Sequence, residues 1–346
     1  MSIVAVLGGH CVFVSGFPSA LAPAFRWIFD GDLGVRMFFV ISGFLISWLM
    51  LAEFDRSNRV SLWRFFARRA LRILPVYFAF LFALLLLQCF TDFRQSYGTW
   101  VGNVTFTTNF SREGNWTSGH LWSLAMEEQF YLIWPCLFVF LGCGKGLRRS
   151  LFILSLPLCI AALSRVISYL DVKPLCFGTL FTQHSFFCYF DSLAIGCISA
   201  VLAARAPEAT RLWTTSRPWT VFFLGSALIV IPHSLMLTFK LGILTVPLGP
   251  TCEGVGLALL LLQSLSVPKF GFYPALNLRV PRQVGILSYS IYIWQQVFCT
   301  RPSVFGFGSV WWMAFPFWIV SALAMASLSY YGLERPFLKL RGRFRN

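Results

Sequence analysis

Ile73-Leu74-Pro75-Val76-Tyr77-Phe78-Ala79-Phe80-Leu81-Phe82-Ala83-Leu84-Leu85-Leu86-Leu87-Gln88-Cys89-Phe90 runs for 18 residues without an Asp, Glu, Lys or Arg. The hydrocarbon core of a bilayer, about 30 Å thick, takes roughly 20 helical residues. A helix apolar on every face has no side to offer water, so lipid or a protein interior must surround it. Just before this stretch stand Arg64, Arg68, Arg69 and Arg72. Such a basic flank marks the cytoplasmic end of a membrane span.

Nine further stretches of this kind flank the first. The expected spans are approximately 3–21, 33–52, 73–90, 119–141, 150–170, 184–203, 218–237, 241–262, 284–299 and 309–332. Pro157 and Pro247 fall inside spans, which helices in lipid tolerate when neighbours satisfy the freed carbonyl. Across the chain 57% of residues are hydrophobic and 12% charged, against about 25% charged in soluble domains. The formal net charge of +15 would suggest nucleic acid in a soluble protein. Here the basic residues sit in short loops between apolar runs, so the partners expected are membrane lipids and no nucleic acid.

The loops also give the orientation. With the N-terminus inside, 20 of the 28 Lys and Arg residues fall in the cytoplasmic segments 53–72, 142–149, 204–217, 263–283 and 333–346. Six fall outside: Arg26, Arg94, Arg112, Lys173, Lys240 and Arg301. The expected fold is all-α, a polytopic transmembrane bundle of about ten helices with both termini cytoplasmic, in a cell membrane. Residues 1–346 read as one transmembrane domain with no separate soluble domain. No internal repeat is visible, and transporters often carry one.

Ten cysteines are scattered without a C-x-x-C pair, as small apolar residues would be, and no metal site is expected. N-x-S/T triplets begin at Asn103, Asn109 and Asn115. They would accept glycans only in a eukaryotic secretory pathway.

Charged and titratable side chains within lipid cost about 2.5–3.5 kcal/mol each on insertion scales, so each needs a reason. Those singled out are His10, Arg36, Arg165, Asp191 and the pair Glu127-Glu128. His10 stands near the middle of the first span, beside Gly8 and Gly9, which leave space for a ligand or a neighbouring helix. A neutral imidazole takes a proton from a hydroxyl at neutral pH. The same histidine could instead bridge helices by hydrogen bonds. Arg69 and Arg72 lie three residues apart on one helical face. Two guanidinium forks there could hold phosphates, or could simply anchor the topology.

Glu127 and Glu128 occur in His120-Leu121-Trp122-Ser123-Leu124-Ala125-Met126-Glu127-Glu128-Gln129-Phe130-Tyr131-Leu132. Successive helical residues point about 100° apart, so at most one of the pair faces a given cavity. Glu128 shares a face with Leu121, Leu124 and Tyr131; Glu127 shares one with Ser123 and Gly119. A buried carboxylate paired with an arginine is the alternative. Asp191 and Arg165 suit such a structural pair.

Taken in order, these pieces resemble the acyltransferase 3 family of membrane acyltransferases. His10 stands where that family has a histidine on its first helix. Gly34-Val35-Arg36-Met37-Phe38-Phe39-Val40-Ile41-Ser42-Gly43-Phe44-Leu45-Ile46 is similar to its second-helix signature. Arg68-Arg69-Ala70-Leu71-Arg72-Ile73-Leu74-Pro75 resembles its R-x-x-R element, and Leu121 to Leu132 its W-S-L-x-x-E-E-Q-F-Y-L motif. Asp191 to Gly196, Leu287-Ser288-Tyr289-Ser290-Ile291-Tyr292 and Glu334-Arg335-Pro336-Phe337 match more weakly.

The resemblance implies transfer of an acyl group, usually acetyl, from acyl-CoA on the cytoplasmic side. The acceptor it implies is a carbohydrate hydroxyl, often on a lipid-linked or envelope glycan. Arg69 and Arg72 would hold the phosphates of coenzyme A, and His10 would act as general base. Glu128 or Glu334 would orient the imidazole or the sugar. A covalent acyl intermediate is the other route. The family also carries an arginine eleven positions before its histidine, a position that here would precede Met1. It often has a histidine after the Tyr-Leu-Trp element; here Tyr292-Ile293-Trp294 is followed by Gln295, and chemistry through a second histidine there is not expected. Two other classes stay open: a transporter or flippase that uses His10 and the glutamates as a relay, and an inactive scaffold.

Overall fold

The computed structural model describes residues 1–110, 115–170, 185–238 and 241–344. Arg112, Lys173 and Lys240 of the external-loop count lie outside the described residues. Among the described residues every regular element is helical. Among these residues, helices of seven residues or more number thirteen rather than about ten. They are α1 (Ser2–Cys11), α2 (Ala22–Ile28), α3 (Gly31–Ser57), α4 (Leu62–Phe90), α5 (Tyr97–Val104), α6 (Leu121–Phe140), α7 (Leu147–Tyr169), α8 (Phe186–Arg205), α9 (Pro207–Ser216), α10 (Pro218–Leu237), α11 (Gly242–Ser266), α12 (Arg279–Phe298) and α13 (Phe317–Ser329).

Among the described residues six helical stretches are long and apolar enough to cross a membrane: Ser19–Ser57, which contains α3, and then α4, α7, α8, α10 and α11. The other four expected spans fall short for local reasons. The 3–21 stretch leaves the helix after Cys11, and Gly16 turns the chain with φ 81° before Pro18. The 309–332 stretch becomes a continuous helix only at Phe317, after Pro316. The α6 helix carries Glu127, Glu128 and Gln129. The α12 helix carries Arg279, Arg282, Gln283, Gln295 and Gln296.

The chain forms two compact units. The first gathers Met1–Gly34, Ser61–Ala125 and Arg279–Asn346. Its core is laid down by α4. Val76, Tyr77, Phe80, Leu81 and Leu84, at helical spacing, pack with Leu121, Leu124, Ile293, Trp294, Phe305 and Met313. On the same helix Phe82 stays 60% exposed and Phe78 46%. A helix with one packed apolar face and one bare apolar face is what a bundle edge in lipid requires. Tyr289 of α12 donates to the Ile73 carbonyl at 2.7 Å and fixes α12 against the entry of α4. Asn103 and Asn109, both first residues of N-x-S/T triplets, are buried here.

The second unit gathers Val35–Val60 and Met126–Leu278. Its α7 packs on α8, α10 packs on α11, and α11 also meets α7 and α8. Where α3 crosses α8, small residues let the backbones touch. A side chain on Gly196 would strike the Val40 carbonyl, and one on Gly43 the Leu193 carbonyl. This is the close approach that small residues permit between helices in lipid.

Two buried arginines of this unit stand in ion pairs. Arg165 Nη2 lies 2.8 Å from Asp191 and 2.7 Å from Thr251, so the pair expected from the sequence is formed. Arg36 Nη1 reaches Glu253 at 2.5 Å, and His233 Nδ1 stands 3.7 Å from the same carboxylate. Stripping one partner from a buried ion pair costs about 3–5 kcal/mol.

Candidate functional site

The first unit brings His10, Arg72 and Glu334 onto elements that pack around α12. His10 lies on the last turn of α1, partly buried. The space beside Gly8 and Gly9 is taken by the chain itself. A side chain on Gly8 would meet the Phe29 ring, and one on Gly9 the Phe29 carbonyl at 2.9 Å. Of the two uses expected for those glycines, close packing of a neighbouring segment is the one found.

The His10 ring is held from two sides. Its Nδ1 lies 2.7 Å from Gln295 Oε1 of α12, and Trp116 meets it edge-on at 5.4 Å between ring centres. An amide oxygen only accepts, so Nδ1 carries the proton and Nε2 keeps the lone pair of the neutral ring. Among the described residues Nε2 makes no hydrogen bond. Such a nitrogen can accept a proton from an incoming hydroxyl.

His120 makes the contrast. Its Nδ1 lies 2.6 Å from Gln296 Oε1 and its Nε2 3.0 Å from the Ile293 carbonyl. Its backbone N–H donates to the same Gln296 oxygen at 2.9 Å. Tyr292 donates to the His120 carbonyl at 3.1 Å and lies 2.5 Å from Ser123 Oγ. Both ring nitrogens are engaged, so His120 is built into the helix contact. Two adjacent glutamines of α12 thus hold two histidines, one with both ring nitrogens against protein oxygens and one with a nitrogen to spare.

Glu334 sits on a π-helical turn, Tyr330–Glu334, that continues α13. Such turns re-aim side chains and recur at functional sites. Its Oε2 accepts from Ser290 of α12 at 2.8 Å, and Arg72 of α4 acts on it through its charge. Arg69, one turn earlier on α4, lays its guanidinium over the Phe65 ring at 5.9 Å. Both arginines are partly buried at the entry of α4.

The other two candidate carboxylates, Glu127 and Glu128, belong to the second unit. Glu127 accepts from Ser42 at 2.6 Å, and Ser42 Oγ lies 2.7 Å from the Tyr131 hydroxyl. Tyr131 thus shares the Ser42 hydroxyl with Glu127, four residues before it. Glu128 is partly buried on α6.

Glu253 and His233 did not stand out in the sequence, and Gln295 did so only as the residue standing where the resembled family often has a histidine. Glu253 was legible as a carboxylate within the apolar run Thr245–Leu262. Gln295 carries no charge to flag it, and its partner lies 285 positions away.

A family model described as an acyltransferase domain, acyltransferase 3, matches residues 1–334. The chain is 35% identical over 153 residues to O-acetyltransferase OatA of Staphylococcus aureus strain NCTC 8325 / PS 47, covering 38% of this chain and 24% of that protein. The same figures hold for O-acetyltransferase OatA of S. aureus strain MRSA252. The chain thus spans about a quarter of the length of these curated relatives. No solved structure matches.

Proposed function

This chain belongs to the acyltransferase 3 family, and from that premise we propose that it is a multi-pass acyltransferase of the plasma membrane. It moves an acetyl group from acetyl-CoA to a hydroxyl of a carbohydrate or lipid-linked envelope glycan. Its likeness to proteins named O-acetyltransferase supports oxygen as the acceptor atom. The match of residues 1–334 supports reading the chain as one acyltransferase domain. Both termini face the cytoplasm.

The observation that carries this reading is the state of His10. Its Nδ1 is held by Gln295 at 2.7 Å, while Nε2 has no hydrogen-bond partner among the described residues. In the proposed reaction Arg69 and Arg72 hold the phosphates of coenzyme A by charge-assisted bonds. The acceptor hydroxyl gives its proton to His10 Nε2 as its oxygen bonds to the thioester carbonyl carbon. The C–S bond then breaks, and the departing thiolate takes that proton. Glu334 steers Arg72 or the sugar.

General-base catalysis is worth about 10²–10⁴-fold in rate. His10→Ala should lose acyl transfer by that factor while coenzyme A binding stays near wild type. His10→Gln keeps hydrogen-bonding ability but takes no proton at neutral pH. It should be as inactive as alanine. A His10→Gln protein with near-normal transfer activity would make His10 a structural hydrogen-bonding residue and sink the assignment.

A further inference from the structure

We propose that Gln295 is the residue that positions His10, fixing which ring nitrogen acts as the base; this rests on the acyl-transfer reading above. Gln295 is wholly buried, and its Oε1 meets His10 Nδ1 at 2.7 Å. The other end of the same amide, Nε2, is buried with no hydrogen-bond partner. A buried donor left unmet is a standing cost, and native proteins keep few of them. A residue retained only to fill that space would be apolar. The feature that Gln295 offers and an apolar residue lacks is the acceptor at His10.

The neighbouring Gln296 shows what a structural amide looks like on the same helix. Its oxygen takes both the His120 backbone N–H and the His120 ring, and it ends with no stranded donor. Gln295 instead spends its oxygen on a ring whose far nitrogen is left open.

The choice of an amide also matters. A carboxylate at this place would stabilise the imidazolium; an amide fixes the same tautomer without adding charge. The titratable groups that act on the His10 ring are Asp32 at the start of α3 and His120. Gln295 therefore presents Nε2 to the acceptor without adding a charge beside the ring. The hydroxyl proton goes to Nε2 as the new C–O bond forms, and returns to the sulfur of the acyl thioester donor when the C–S bond breaks.

Three forms of the full chain in nanodiscs test this, with acetyl-CoA as donor and thiol release as the signal. Gln295→Met keeps the volume and removes the acceptor. It should lower kcat by about 10²-fold or more with KM for acetyl-CoA unchanged, since losing a tautomer-setting partner costs up to ~10⁴ in Ser-His-Asp enzymes. Gln295→Glu keeps the acceptor and adds charge. It should stay within about tenfold of wild type, with the acid limb of its pH–rate profile moved upward, because a carboxylate favours the imidazolium. A Met variant at wild-type kcat, or a Glu variant with an unmoved profile, overturns the assignment. Should the Met variant fail to fold or to bind coenzyme A, the Glu profile alone decides. A wild type that releases no thiol sinks the acyl-transfer reading itself. A working wild type matched by the Met variant sinks only the role of Gln295.

Discussion

Arg69 and Arg72 differ in what already occupies them. Arg69 stacks on Phe65 within its own helix, and Arg72 feels the Glu334 carboxylate. Each carries a planar fork at the entry of α4, a shape suited to gripping a phosphate by two parallel bonds. Hydrogen bonds to charged groups contribute about 1.5–3 kcal/mol, so either arginine changed to Ala should weaken coenzyme A binding roughly tenfold to a hundredfold. Lys at either position should restore only part, since an ammonium cannot donate two parallel bonds. Calorimetric titration with coenzyme A in detergent measures this. Unchanged affinity in the double Ala variant would leave the pair as topology anchors. At this scale the sequence revealed the charged players, because a histidine or an arginine in an apolar run is conspicuous. It concealed the part Gln295 plays, because the meaning of an amide lies in its partner. The glycines beside His10 were legible as space, but only the fold shows that Phe29 fills it.

The helices divide by how much of their evidence is local. The apolar runs that became α3, α4, α7, α8, α10 and α11 announce themselves by length alone. The ends of α1 and α13 do not, because a turn at Gly16 or a start at Phe317 is set by backbone packing and not by hydropathy. Pairing between helices is less legible still, and Gly196 shows why. An added Cβ there would strike the Val40 carbonyl and lie 2.7 Å from the Phe44 nitrogen. Backbone atoms have no rotamer with which to yield. Gly196→Ala should therefore cost about 1–3 kcal/mol, the usual range for overpacking. The control is Gly285→Ala in α12, where an added Cβ meets nothing within 4 Å. Replacing a helical glycine in open space stabilises by about 1 kcal/mol. Thermal melts in detergent should place Gly196→Ala below wild type and Gly285→Ala at or above it. A Gly196→Ala protein that melts at wild-type temperature would rule out the tight crossing of α3 and α8.

For the chain as a whole, the orientation rests on charge. Twenty basic residues on one set of loops against six on the other is a bias that insertion reads directly. The segment around α9 carries Arg205, Arg211 and Arg217, and the loop between α12 and α13 carries Arg301 alone. Two engineered cysteines report on these loops. Glu208 and Gly308 are both exposed, and a Cβ at Gly308 meets nothing within 4 Å. The background should first lose Cys176, outside the described residues, and the exposed thiols among them, by Cys176→Ala, Cys89→Ala and Cys159→Ala. In intact cells a membrane-impermeant maleimide should then label Gly308→Cys and leave Glu208→Cys untouched until the cells are broken. A green fluorescent protein fused after Asn346 should fluoresce, as it does only in the cytoplasm. Labelling of Glu208→Cys in intact cells, with Gly308→Cys protected, would invert the orientation. It would also move Arg69 and Arg72 away from the compartment that holds acyl-CoA, so the proposed donor site would fall with it.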